Sequence, residues 1–161
     1  MELDSIEEYI LEGREELKRV EHIIYVSLKY TRTTDVLKGA LLRFVSFFDI
    51  IVEGFSHDAV EKGKLDRVPK SPALRMKQFS EMNEDNEELR KFVVFYFFLK
   101  DLCKRDYRCI NEYRRHVGMV FNLDNNSSII INIDNLETCE YYAYKFYDFA
   151  KRYLGMAKEE E

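Results

Sequence analysis

Apolar residues recur in two long stripes near the start of the chain. Ile6, Ile10, Gly13, Leu17, Val20, Ile24 and Ser27 alternate at spacings of four and three, and Leu37, Leu41, Phe44, Phe48, Ile51 and Phe55 repeat the rhythm. That spacing keeps one helical face apolar, so it predicts two amphipathic helices. The polar break between them holds Lys29, Tyr30, Thr31, Arg32, Thr33, Thr34 and Asp35 and makes the pair an antiparallel hairpin. Helix one is expected from Asp4 or Ser5 to about Tyr30, with Glu15 and Arg19 paired on its outer face. Helix two is expected from about Thr34 past Phe55 toward Lys62. Thr33 or Thr34 would cap it by accepting from an otherwise orphan N–H, and Asp35 suits the positive end of the helix dipole. Gly54 is its weak point, at about 1 kcal/mol relative to Ala.

Residues 63–71 read as a loop: Gly63 can close the preceding helix and Pro69 holds the chain extended. Ser71-Pro72 is the signature of a cap followed by proline at the first helical position, opening a short helix to about Met82. Residues 83–86 form a second break, with Asp85 or Asn86 capping a fourth helix over residues 87–104. Its inner stripe is Leu89, Phe92, Val93, Tyr96, Leu99 and Cys103, and Phe95, Phe97 and Phe98 cover much of the remaining circumference. A helix apolar nearly all round is central or sits in a subunit interface, and residues 93–99 are expected in a central buried helix. A further helix is expected over residues 107–117, stopping at Gly118.

Past Gly118 the period drops to two. Met119, Phe121 and Leu123 alternate with Val120 and Asn122; then, across an Asn-rich turn, Ile129, Ile131 and Ile133 alternate with Ile130 and Asn132. This predicts a β-hairpin at about 119–133, with Phe121, Ile129 and Ile131 buried and Asn122 and Asn132 toward water. Asn125 and Asn126 tolerate the positive φ of tight turns. A last helix should start near Asp134 or Asn135, with Leu136, Cys139, Tyr142, Ala143, Phe146, Phe149, Ala150 and Tyr153 inside. The tail from Gly155 should fray.

The expected fold is therefore mainly α, an antiparallel helical bundle with one β-hairpin in the C-terminal half, in a single domain over residues 1–161. Composition agrees: of 161 residues, 34% are charged and only 6 are Gly and 2 Pro, while 12 Phe and 11 Tyr predict a ring-rich core. The net charge of −5 argues against a general nucleic-acid coat but leaves room for a local basic patch. The acidic N-terminus lacks the pattern of a signal peptide, and residues 93–99 are far short of the roughly 20 apolar residues needed to cross a bilayer. Cys103, Cys109 and Cys139 are odd in number and fit neither a zinc site nor a disulfide framework, so they are expected as reduced core thiols in a cytoplasmic protein.

Two polar clusters could carry chemistry. Lys29, Arg32 and Thr33 could form an anion site at a helix N-terminus. Arg108, Arg114, Arg115 and His116 surround Glu112; on a helix Arg108, Glu112 and Arg115 share a face, offering a basic site for phosphate, RNA or an acidic partner. The competing reading for each is structural: a helix–helix corner and a solvated charged face. His22 and His57 lack metal-ligand spacing, and no phosphate-cradling loop or nucleophile motif is present. No metal, cofactor or catalytic set is expected.

The helix pair joined by LKYTRTTDVL (residues 28–37), followed by Arg114, Arg115 and His116, resembles small helical proteins of the HEPN superfamily, archaeal members among them. The resemblance spans residues 5–117. It implies an antiparallel helical bundle, frequent dimers and, in some members, metal-independent RNA cleavage by an arginine and a histidine about four to six residues apart, a spacing that this chain does not match. Here Arg114 and Arg115 adjoin His116 directly. The leading functional expectation is a non-enzymatic cytoplasmic interaction module, a homodimer or the partner of another protein. One alternative is a HEPN-like RNA-binding or RNA-cleaving protein; another is a bundle that binds a small anionic ligand. No membrane association is expected.

Overall fold

The computed structural model describes residues 5–155. The expectations for Asp4 and for the tail beyond Gly155 fall outside them. α1 (Ile6–His22) opens on Ser5, whose hydroxyl accepts from the Glu8 N–H. It runs on through a π-helical turn, Ile23–Ser27, into α2 (Leu28–Tyr30), so the first rod ends where the polar break begins. The π turn was not in the apolar rhythm. From it the Tyr25 hydroxyl donates to Glu140 Oε1 at 2.9 Å, 115 residues away.

α3 (Thr34–Glu61) opens on Thr33, whose hydroxyl accepts from the Val36 N–H. α4 (Pro72–Met82) has Ser71 as cap and proline in its first turn; α5 (Glu87–Lys104) is capped by Asn86. Three antiparallel strands follow in the order β1 (Arg108–Ile110), β2 (Gly118–Asn122), β3 (Ser128–Ile131), then α6 (Ile133–Tyr153). Asn132 caps α6 in a reciprocal box with Asn135, which puts the helix start slightly before the expected one.

α3 is the central helix and packs against α1, α4, α5 and α6. Its rings organise the core: Phe48 stacks on Phe146 with centroids 4.5 Å apart, and Phe55 stacks on Phe79 at 4.4 Å. Each fully buried ring of this kind contributes about 2 kcal/mol relative to exposure. α1 lies close on α3 because Gly13 and Gly54 have no side chain; a Cβ on Gly54 would stand 2.7 Å from Tyr9 Cβ. A buried carboxylate also joins the two helices. Glu16 Oε1 accepts from Arg19 at 2.7 Å and from Arg43 at 2.8 Å.

Several expectations need correction. No helix forms over residues 107–117; Arg108–Ile110 pairs with Gly118–Val120 instead, and the chain between them reverses through Asn111 (φ 55°) and Tyr113 (φ 67°). Pairing satisfies backbone groups that a helix with few apolar positions could not have anchored. α5 is not central. Its inner face is buried, but Val94 is 66% and Phe98 40% exposed. Tyr142 is exposed on α6, and Tyr147 takes a place in the core. Arg19 pairs with Glu12 and Glu16 rather than Glu15. Of the thiols only Cys139 is buried, with Cys103 half-buried and Cys109 exposed. The hairpin register is the expected one, Phe121 facing Ile129 and Met119 facing Ile131. Ile129, however, is only partly buried, and Asn132 serves as a helix cap.

Candidate functional site

Two surfaces stand apart from the packed core. The first is the corner between α2 and α3. The turn after β1 docks on it: the Tyr113 N–H donates to the Arg32 carbonyl at 2.7 Å. Beside it, the Thr34 hydroxyl and N–H donate to Glu112 Oε1 at 2.8 and 3.3 Å. The Thr34 hydroxyl also lies 3.0 Å from Cys109 Sγ. These bonds from Thr34 hold the Glu112 carboxyl below its ordinary pKa.

The bonds of Glu112 and Tyr113 bring the turn after β1, with Arg114 and Arg115 next in the chain, against the corner that carries Arg32 and Thr33. Lys29, Arg32 and Thr33 come from its helical side, and Arg108, Arg114, Arg115 and His116 from the docked strand and turn. Arg108, Arg114, Arg115, His116 and Lys29 are exposed, while Arg32 and Thr33 are half-buried. Arg32 Nε donates to the Leu28 carbonyl at 3.2 Å, and Thr33 is spent on its capping bond. Glu112 occupies the place that a small anion would take at the Thr34 amide. The ring of Tyr113 is 80% exposed and that of Tyr30 85% exposed. A bulky residue in the left-handed region costs about 1–2 kcal/mol, so the turn holds Tyr113 against its preference.

The second surface lies between α5 and α6. Phe95 meets Tyr142 with centroids 5.3 Å apart, but beyond this contact the helices leave a groove of about 470 Å³. Phe92, Val94, Phe95, Phe98 and Tyr142 line it, and Glu88, Lys91 and Lys145 stand at its rim. The sequence placed the apolar residues on these helices but did not show that they open to solvent. A second concavity, of about 660 Å³, is formed by the 64–70 loop with Leu74 and Gln78 and carries Lys64, Arg67 and Lys70. In the sequence that loop reads only as a connection between helices.

Among the described residues no group of three or more His, Cys, Asp or Glu side chains is arranged to hold a metal ion, and no helix is long and apolar enough to cross a membrane. Comparison of the chain with protein-family models, curated proteins and solved structures finds no match.

Proposed function

We propose that the chain is a non-enzymatic, cytoplasmic protein-interaction module whose contact surface is the outer side of α5 with the α5–α6 groove. A second copy of the chain or another protein takes that surface. One observation carries the reading: Val94 and Phe98 face solvent beside a groove lined by further aromatic rings. A contiguous apolar surface rimmed by charges is what a protein contact requires, and covering it removes the apolar area from water. Light scattering at micromolar concentration tests it. The expected mass is twice the 19.4 kDa of one chain, reduced to one chain by Phe98→Asp. A wild-type mass of 19.4 kDa that does not change on concentration removes self-association and the main support for the reading.

The corner supports a second reading, RNA binding, in keeping with the HEPN resemblance. Arg108, Arg114, Arg115 and Lys29 supply phosphate contacts, exposed Tyr113 and Tyr30 supply faces on which bases stack, and His116 with Arg114 or Arg115 would be the cleaving pair. Arg114→Ala and Arg115→Ala should each weaken binding of single-stranded RNA and lower its salt dependence. Unchanged binding in both, or none by the wild type at low salt, retires this reading.

A further inference from the structure

The outer face of α5 carries a charge pattern that reads the same in reverse with signs exchanged. Glu87, Lys91, Val94, Phe98 and Asp101 fall within an arc of about 80° of the helix surface, and Arg105 at the C-cap continues the row. Val94 and Phe98 stand two residues either side of Tyr96, Lys91 and Asp101 five, and Glu87 and Arg105 nine. All are exposed except Arg105, which is partly covered. Tyr96 itself points inward and is fully buried.

We infer that this face binds a second copy of the chain, with the two α5 helices antiparallel and the two-fold axis passing at the level of Tyr96. This inference rests on the interaction reading above and names its partner. In that register Val94 meets Phe98 of the second copy, Lys91 meets Asp101 of the second copy, and Glu87 meets Arg105 of the second copy. Each contact occurs twice, as a two-fold interface requires. Unlike charges meet at every charged position and apolar groups meet at the centre. A parallel pairing in the same register would set Lys91 against Lys91 and Asp101 against Asp101. The charges thus select the orientation, and the apolar centre with the groove beside it supplies the area.

The arrangement is tested by charge exchange on the full chain. Lys91→Glu sets glutamate against Asp101 of the second copy, and Asp101→Lys sets lysine against Lys91. By symmetry each variant has two like-charge contacts, so each should weaken its own dimer about tenfold. Mixed together, the two variants form a heterodimer in which both contacts join opposite charges, and association should return. That rescue also shows that both variants are folded. In a Cys109→Ser background, Val94→Cys mixed with Phe98→Cys should form crosslinked heterodimers in preference to either homodimer, which tests the register independently. A dimeric wild type whose single variants are unaffected, or are weakened without rescue, overturns the antiparallel α5 pairing and leaves the interaction reading in place. A wild type that stays monomeric overturns the pairing and removes the main support for the interaction reading. If it then binds phosphatidylcholine vesicles through Val94 and Phe98, the face belongs to a lipid surface instead.

Discussion

The contact between α1 and α3 makes a prediction in which one chemical change has opposite signs at two places on one helix. Gly39 and Gly54 both lie inside α3. A Cβ added at Gly39 meets nothing within 4 Å, so Gly39→Ala should show the plain helix preference for alanine, a gain of about 1 kcal/mol. A Cβ at Gly54 would stand 2.7 Å from Tyr9 Cβ, 2.8 Å from Ile6 Cδ1 and 3.0 Å from Tyr9 Cγ. Tyr9 Cβ is fixed to the α1 backbone, so relief requires α1 itself to move. Overpacking of this kind costs about 1–3 kcal/mol. Set against the same gain in propensity, Gly54→Ala should be neutral to destabilising by about 2 kcal/mol. Gly13→Ala should fall between the two, because its nearest neighbour, Ile51 Cδ1 at 2.5 Å, is the end of a side chain that can turn away. Thermal unfolding at one fixed protein concentration measures all three, since a chain of this size should shift its Tm by about 2–4 °C per kcal/mol. A Gly54→Ala variant stabilised as much as Gly39→Ala would refute the close approach of α1 to α3.

Two further expectations follow from differences in burial. Asp49 accepts from the Tyr96 hydroxyl at 2.6 Å, and burial raises its pKa more than Tyr96, Lys100 and Arg75 lower it. A raised folded-state pKa gives a contribution present at low pH and lost as pH rises through that value. Asp49→Asn keeps an acceptor without the charge, so it should stabilise at pH 7 with the gain gone below about pH 3.9; unfolding curves at both pH values decide. Thiol labelling of the native protein, read by mass spectrometry, should modify exposed Cys109 first, half-buried Cys103 slowly, and Cys139, whose pKa burial pushes up to about 12, only on unfolding. Early labelling of Cys139 would contradict its place in the core.

Four of the helices are legible in the chain because each has both an apolar period and a chemical start signal. Ser5, Thr33, Ser71-Pro72 and Asn86 all cap where the pattern begins. What failed was information that lies elsewhere in the chain. Arg108–Ile110 is three residues long, too short to show a period, and becomes a strand only because Gly118–Val120 lies beside it. The left-handed turn at Tyr113 left no local sign, since tyrosine is not a residue that favours it. The docking of the turn after β1 on the α2–α3 corner depends on the bonds of Glu112 to Thr34 across 78 residues. The apolar circumference of α5 was visible, but a central helix and a helix with an open contact face share that pattern. Only the packing of α3 in the middle decides between them. The reversed charge order from Glu87 to Arg105 could be written down once the helix frame was known, yet it carries meaning only when those positions are seen to be exposed.

Arg105 connects that face to the sheet, and this gives the remaining prediction. Its Nε donates to Asp101 Oδ2 at 2.7 Å, and its terminal nitrogens donate to the Asp124 carboxylate at 3.1 and 3.2 Å and to the Asn122 carbonyl at 3.2 Å. Asp124 first, then Asp101, raise the guanidinium pKa, so the charge is held at every accessible pH. The side chain is therefore ordered before a second copy arrives, and Glu87 of that copy would meet a cation already in place. Ordering a long side chain in advance reduces what association must spend in entropy. Asp124 sits in the turn between β2 and β3 and has no partner of its own in the antiparallel register. Asp124→Asn should therefore act only through Arg105, weakening the dimer about two- to threefold, less than Lys91→Glu. The fold should be unchanged by circular dichroism, and the loss should shrink as salt screens the Glu87–Arg105 contact. Dilution followed by light scattering measures it. A loss as large as that of Lys91→Glu would mean that the hairpin turn itself lies in the interface. No loss at any salt would mean that Arg105 does not reach the second copy.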